Sequence, residues 1–378
     1  MEPIRVLHED VILDPGGIEA LLMNLYSHID REKLQFDFMV HRPDKGEYED
    51  RVTEMGGKIY RTPPFNPFKM NAFKASITDI LKSHPEYKVF HCHADLSMWP
   101  LKYAAKLGIP TRIVHAHNGK TVINTKYFFF KYEDLFTKKY CTDMFMCSTL
   151  AGEFRYGKKA VEQGLVKFIK NGVDTSQYRF NEQIRDELRH ELQIDDKLVI
   201  GHVGRFMQQK NHLFLIEIFN EIHKKNSNTV LLMAGKGKLQ QKSEERVAEL
   251  GLTDCVKFLG VRNDVNNLLQ AFDLFLFPSL WEGLPVTCVE AQSAGLPVLM
   301  SDIITDEVNI VPHLHTKSLN DTAESWADEA LNLLASYKRR DCVPEVIKAG
   351  FDIQTTADWL QDFYIERTLR ARHNQKNL

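Results

Sequence analysis

The sequence predicts a two-domain α/β protein, each domain an open parallel sheet of the Rossmann type, and three observations carry this reading. Short apolar runs of strand length alternate with segments of helical periodicity. The alternation runs from residue 4 to residue 149 and starts again at residue 197. A chain of 378 residues is long enough for two domains of ordinary size.

The elements follow in order. IRVLHED (4–10) reads as a strand, and PGGIEALLMNLYSHI (15–29) as a helix with Leu21, Leu22, Leu25 and Ile29 on one face. FDFMVHR (36–42), KIYRT (58–62), KVFHCHA (88–94), TRIVHAH (111–117) and MFMCST (144–149) continue as strands, with helices at 71–83 and 97–108. The run LVKFIKNGVDTSQYRF (165–180), a strand followed by an Asn-Gly turn, marks the boundary, giving domains at 1–172 and 173–354. The second domain has strands at 197–205, 229–235, 256–260, 274–279 and 297–302. Helices fall near 211–225, 239–250, 264–271, 285–294 and 322–336. A last helix comes after the second sheet is complete, and the sequence permits residues 355–378 to pack back on the first domain.

Composition excludes several classes. With 43% hydrophobic and 26% charged residues the chain is neither collagen-like, nor a disulfide framework, nor mostly disordered. A net charge of -3 gives no global attraction to nucleic acid. Six scattered cysteines without a C-x-x-C fit buried thiols in a reducing compartment. The first residues lack the apolar core of a signal peptide, and no run approaches 18 apolar residues. The expectation is a cytoplasmic protein, at most peripheral on the inner face of the cytoplasmic membrane. Charge is uneven: residues 102–170 carry 13 Lys and Arg against 5 Asp and Glu, either a solvated face or a surface for anionic lipid or phosphate.

Ligands of open α/β sheets sit beyond the carboxyl ends of the strands. There the strand 198–203 runs into Gly204-Arg205, with Lys210 five residues on. Such a pair can grip a diphosphate from two directions, Arg as a planar donor fork and Lys as a mobile charge. The plain alternative is two solvated cations. In SLWEGLPVTCVEAQSAGLPVLMSD (279–302), Glu282 lies on the loop after a strand, Gly283 lets a ligand approach, Pro285 opens a helix and Glu290 lies inside it. About 7–8 Å of helix axis separates Pro285 from Glu290, so the two carboxylates serve different parts of a ligand. One could bind a ribose diol; a solvated helix face and a glycosidase pair are the alternatives.

His91-Cys92-His93 and His115-Ala116-His117 each place two imidazoles on one strand face. Packing, a substrate-facing His117 and a metal site all remain open, the last without demonstrated ligand geometry. Gly16-Gly17 stands at a strand–helix junction where backbone can approach phosphate, and Gly235-Lys236-Gly237 lacks the third Gly of a dinucleotide fingerprint. There is no D-x-D metal clamp, so neither a metal nor another cofactor is expected.

In series, Gly16-Gly17, His117, Asn171-Gly172-Val173-Asp174, Gly204-Arg205 with Lys210, Glu282-Gly283-Leu284-Pro285 with Glu290, and Ala294-Gly295-Leu296-Pro297-Val298 resemble a retaining GT-B glycosyltransferase. More narrowly the chain resembles glycosyltransferase family 4, in the branch of bacterial exopolysaccharide and capsule enzymes of the EpsF type. The resemblance implies two Rossmann-like domains facing a cleft, a nucleotide-sugar donor (a UDP-sugar) and a glycan or polyprenyl-linked acceptor. It makes Arg205 and Lys210 the diphosphate cations, Glu290 the ribose carboxylate and Glu282 the carboxylate facing the donor sugar. Gly283 and Leu284 become backbone donors beside the sugar, and Gly260-Val261-Arg262 the turn bracketing the base. Gly17 and His117 become first-domain groups reaching the phosphate and the reacting sugar. Retaining members of the family are thought to let the acceptor attack from the leaving-group face, which needs no protein nucleophile. Two departures stand out: Asp302-Ile303-Ile304-Thr305-Asp306-Glu307 lacks the family's Gly-Gly before its Glu, and Lys236 replaces a common acid. A non-catalytic nucleotide-sugar or lipid-binding adaptor is the alternative of another class. A nucleotide-sugar epimerase or dehydrogenase is disfavoured by the missing G-x-G-x-x-G. Finally, residues 119–140 interleave Lys120, Lys126, Lys131, Lys138 and Lys139 with aromatics, either core packing or a dock for an anionic membrane surface.

Overall fold

The computed structural model describes residues 2–14, 16–94, 97–118 and 136–376. Its contacts divide the chain into two units, Met1–Gly172 with Ile353–Leu378, and Val173–Asp352. Among the described residues no helix is long and apolar enough to cross a membrane, and all six cysteines are free.

The first unit holds seven strands: β1 Ile4–Asp10, β2 Leu34–Val40, β3 Ile59–Arg61, β4 Val89–Cys92, β5 Thr111–Ala116, β6 Asp143–Met146 and β7 Val166–Phe168. They form one parallel sheet in the order β3-β2-β1-β4-β5-β6-β7. Helices cover both faces, which is why β2, LQFDFMV, is buried along its whole length, with its polar residues paired inside: Asp37 accepts from Arg5 and Tyr87, and Gln35 donates to the Arg31 carbonyl. On β1 the alternation survives as a choice of core. Val6 joins the core beneath the helices Gly17–His28 and Ile353–Lys376, and Leu7 joins the one beneath Met70–Ser83 and Met98–Lys106. The C-terminal helix returns to this sheet through Ile353, Ala357, Leu360 and Tyr364, spaced four, three and four residues apart on one buried face. Arg367 fixes it to Asp143 at 2.6 Å.

The second unit has β8 Leu198–Val203, β9 Thr229–Ala234, β10 Val256–Phe258, β11 Leu274–Phe277, β12 Val298–Ser301 and β13 Leu314–Lys317. Their parallel order is β10-β9-β8-β11-β12-β13. Alternate residues again feed two cores, Val199 to one side and Ile200 to the other. The strand order reverses between β1 and β4 in one sheet and between β8 and β11 in the other. The expected α/β class with two parallel sheets is therefore observed. At such reversals the crossover connections leave to opposite faces, and a crevice opens beyond the carboxyl ends.

Candidate functional site

In the second unit the chain leaves β8 at Gly204-Arg205 and enters a 3₁₀ turn, Gln208–Lys210, before the helix His212–Lys225. Asn211 holds the junction in the left-handed conformation (φ 55°), and its Nδ2 donates to the Pro278 carbonyl at 3.1 Å. Leu280 N donates to the Gln209 carbonyl at 2.8 Å, so this turn is stitched to the loop that follows β11. The stitching brings Lys210 and Glu282 together. Lys210 Nζ lies 2.8 Å from Glu282 Oε1 and 4.4 Å from the centre of the Phe277 ring. Gln209 Nε2 donates to the other carboxylate oxygen at 3.0 Å. Both side chains of the ion pair are largely sheltered, with 14% and 8% exposed. Arg205 is exposed, and its guanidinium forms no ion pair among the described residues.

Three turns line the same sheet edge. Gly204 N donates to the Ala234 carbonyl, Gly235 N to the Gly260 carbonyl and Phe206 N to the Lys236 carbonyl, at 2.9, 2.7 and 3.2 Å. The Gly235-Lys236-Gly237 turn is thereby explained by packing rather than phosphate approach. A Cβ at Gly235 would stand 2.0 Å from the Gly204 carbonyl oxygen, and one at Gly237 2.4 Å from that of Phe206. At the third turn Val261 is 71% exposed. Arg262 is engaged with Asp264 through two bonds of 2.7 and 2.5 Å, which raise its pKa.

Glu290 lies on the helix Val286–Ser293, which follows Pro285 and has no side-chain cap at its start. Burial raises its pKa, and Tyr178 OH donates to its Oε1 at 2.9 Å. Gly283 borders open space, while Leu284 packs on the core. Glu307 lies on the 3₁₀ turn Asp306–Val308 that follows β12. Sequence reasoning missed Tyr178 and Gln209. Gln209 adjoins Lys210 and could have been read with it; Tyr178 sits 112 residues before Glu290, with no local signal.

In the first unit Gly16 is the extended residue before the helix Gly17–His28 and offers no side-chain cap. The Glu19 carboxylate stands over Gly16 and accepts from the Glu19 backbone N–H, so the chain's own acid occupies the start of this helix. A Cβ at Gly17 would meet nothing within 4 Å.

His117 belongs to a five-imidazole cluster on the sheet face that Tyr364 covers. His93 bridges it, with Nε2 at 3.0 Å from His8 Nδ1 and Nδ1 at 3.0 Å from His117 Nε2. His91 Nδ1 is 2.5 Å from Tyr364 OH, and the His115 and His117 rings stand 4.1 Å apart. Burial drives His8 and His117 down to about 3 and His91, His93 and His115 well below the usual range. All five are neutral at physiological pH. Two triads, His8/His91/His93 and His93/His115/His117, each bring three ring nitrogens within 4.8 Å and are, among the described residues, the groups that could hold a metal ion. His8 was not singled out from the sequence; it enters because β1 pairs with β4 in the register His8 to His91.

Of the basic stretch 119–140, residues 119–135 lie outside the described residues. Lys138 donates to the Tyr156 carbonyl at 2.7 Å.

Comparison with known proteins adds the family context. A family model described as Glycosyltransferase Family 4 matches residues 15–177, and one described as Glycosyl transferases group 1 matches residues 184–347. The chain is 33% identical to the putative glycosyltransferase EpsF of Bacillus subtilis over 95% of its length and 96% of that protein. It is 27% identical to the UDP-Gal:alpha-D-GlcNAc-diphosphoundecaprenol alpha-1,3-galactosyltransferase of Escherichia coli, over 96% and 97%. The crystal structure of Anabaena Alr3699/HepE in complex with UDP superposes with a TM-score of 0.78 at 17% identity, covering 95% of this chain and 99% of that one. That likeness is one of fold, and its fold is GT-B.

Proposed function

The chain belongs to glycosyltransferase family 4, and on that premise we propose that it moves a sugar, with retention, from a UDP-sugar to a hydroxyl of a lipid-linked or glycan acceptor in cell-surface polysaccharide synthesis. The observation that carries the reading is the Lys210–Glu282–Gln209 cluster, set beside Arg205 where the strand order of the second sheet reverses. Two relatives support it. The Escherichia coli protein is named for a UDP-Gal donor and a diphosphoundecaprenol-linked acceptor, and the Anabaena chain was solved with UDP.

The chemistry follows from charge. Breaking the glycosyl–phosphate bond leaves extra negative charge on the diphosphate, and fixed cations stabilise it where it develops. Arg205 is exposed and supplies a planar fork. Lys210 starts paired with Glu282, so donor binding turns the ammonium toward phosphate and frees Glu282 to accept from sugar hydroxyls. Glu290, oriented by Tyr178, accepts from the ribose, and the backbone at Gly283 and Leu284 lies beside the sugar. The turn carrying Val261 and Arg262 brackets the base, with the guanidinium already turned onto Asp264. The first unit takes the acceptor, where neutral His117 serves as a hydrogen-bonding partner rather than a proton donor in charged form.

The test is an assay of nucleotide release with a panel of nucleotide sugars, run with and without chelator. Slow release from a UDP-sugar, quickened by acceptor, is the expected result; binding without turnover would make the protein an adaptor. The two cations already face the leaving group, so the rate in excess EDTA should equal the untreated rate. Activity lost to EDTA and restored by magnesium or manganese would contradict this, and would bring the imidazole triads into the chemistry.

A further inference from the structure

Three buried imidazoles of the first unit serve nothing in the transfer reaction. His8 on β1 pairs in register with His91 on β4, and His93 follows His91 at the same-face spacing of two. The rings of His8 and His91 each meet Tyr364 of the C-terminal helix edge-on. The three residues are 0, 1 and 2% exposed. One nitrogen from each ring lies within 4.8 Å of the other two.

Their hydrogen bonding is incomplete. His8 Nε2 and His91 Nε2 are buried and have no partner among the described residues. A neutral imidazole carries one N–H and one bare lone pair, so each of these rings strands one or the other. Two such atoms in one cluster are costly. An aromatic hydrocarbon such as the neighbouring Phe36 ring, 4.3 Å from His8, would pack there without that cost. The bonds that are made resemble those that orient metal ligands. His91 Nδ1 is 2.5 Å from Tyr364 OH and His93 Nδ1 is 3.0 Å from His117 Nε2, so each ring is held by one nitrogen and keeps the other. His8 Nδ1 and His93 Nε2 stand 3.0 Å apart. Neighbouring nitrogens of a tetrahedral zinc site are separated by about 3.3 Å.

The donor set selects the ion. Neutral imidazoles without carboxylate or thiolate suit zinc, copper or nickel, and offer little to magnesium or calcium. Burial keeps the rings unprotonated, which is the form that ligates. Charge selects the triad. Arg155 donates to the His115 carbonyl at 3.3 Å, and its positive charge acts on both His115 and His117. His8 and His91 are shifted by burial and by other imidazoles, not by that cation.

We propose that His8, His91 and His93 bind one late divalent transition-metal ion of the zinc class, which ties β1 to β4 and, through Tyr364, orders the C-terminal helix on the sheet. The ion is structural, since rings this buried admit no sugar, and the site stands independently of the transferase reading. Protons and metal compete for the same lone pairs, so the ion adds to the stability that acid removes.

Refolding the full chain from urea, with chelator or with one equivalent of zinc, tests it without burial barring entry. Wild type should keep one zinc through gel filtration and melt at least about 5 °C above the chelator-treated protein. Cobalt in its place should give the strong visible bands of a four-coordinate site. His8→Phe keeps an aromatic ring beside Phe36 and Phe38 and should lose at least about a hundredfold in zinc affinity. Tyr364→Phe keeps the helix packing, frees the His91 ring and should lose about tenfold, which preserves the test if His8→Phe fails to fold. His115→Phe, outside this triad, should bind as wild type does. Wild type that retains no zinc and melts unchanged would overturn the proposal, as would Tyr364→Phe and His8→Phe binding as tightly as wild type. Loss of zinc in His115→Phe alone would also overturn it, moving the ion to the other triad.

Discussion

Lys210→Ala and Arg205→Ala should each lower turnover by about 10²- to 10³-fold, the loss typical of removing one preorganised group that stabilises charge in the transition state. The two variants should differ in stability. Arg205 is exposed and makes no ion pair among the described residues, so its loss should change folding stability by no more than about 0.5 kcal/mol. Lys210 is sheltered between the Phe277 ring and Glu282, so alanine leaves a carboxylate with Gln209 as its one side-chain partner among the described residues. That variant should melt earlier, because an unpaired, partly buried charge is costly. Combining Lys210→Ala with Glu282→Gln should recover the melting temperature without recovering turnover. Steady-state rates and thermal melts on the four proteins check this. A wild-type rate in either single variant would remove the diphosphate assignment.

Acidification from pH 7 to pH 5 should destabilise the first unit by at least about 2 kcal/mol. His8, His91, His93 and His115 are buried, and burial holds each below its ordinary value, His8 at about 3. Once unfolded, each would titrate near 6.5. Between those limits the unfolded chain binds protons that the folded chain refuses, so stability is complete above about pH 6.5 and falls as pH falls. A group shifted as far as His8 costs about 2 kcal/mol at pH 5 by this linkage. His91, His93 and His115 are displaced in the same direction and deepen the loss. His117 is driven down as far as His8 and acts in the same direction. Urea unfolding followed between pH 5 and pH 8 should show a steep loss on the acid side. His91→Gln should shallow that slope by close to one proton while keeping a polar contact to Tyr364. Stability that stays level from pH 7.5 to pH 5 would mean the imidazoles are solvated or already charged.

What the sequence revealed and what it hid divide along physical lines. The strands ending at Gly204 and Pro278 were legible because apolar runs of strand length stop abruptly at polar residues, and those residues are Arg205, Lys210 and Glu282. The ion pair joining the last two was not legible. It depends on β11 lying next to β8, which joins residues 72 apart in the chain. The helix Glu182–Glu191 escaped notice because charge dominates it and only Leu188 and Arg189 are buried. Strand β13, LHTK, is a four-residue edge strand with one buried residue, too short and too polar to stand out. Both His-x-His pairs were visible as same-face pairs, but their fate depended on His8 and on Tyr364, which arrives 273 residues after His91. Arg262 was expected at the base, and its spacing to Asp264 already allowed the local ion pair that the structure contains.

Calorimetric titration of UDP onto the full chain, wild type beside Glu290→Ala and Glu282→Ala, tests the central claim most directly. Wild type should bind UDP. Glu290→Ala should weaken that binding at least about tenfold, the worth of one hydrogen bond to a charged group. Glu282→Ala should leave UDP affinity near wild type and lose the additional affinity for the sugar. No UDP binding by the wild type, or equal affinity in Glu290→Ala, would contradict the assignment of the second unit as the nucleotide-sugar site.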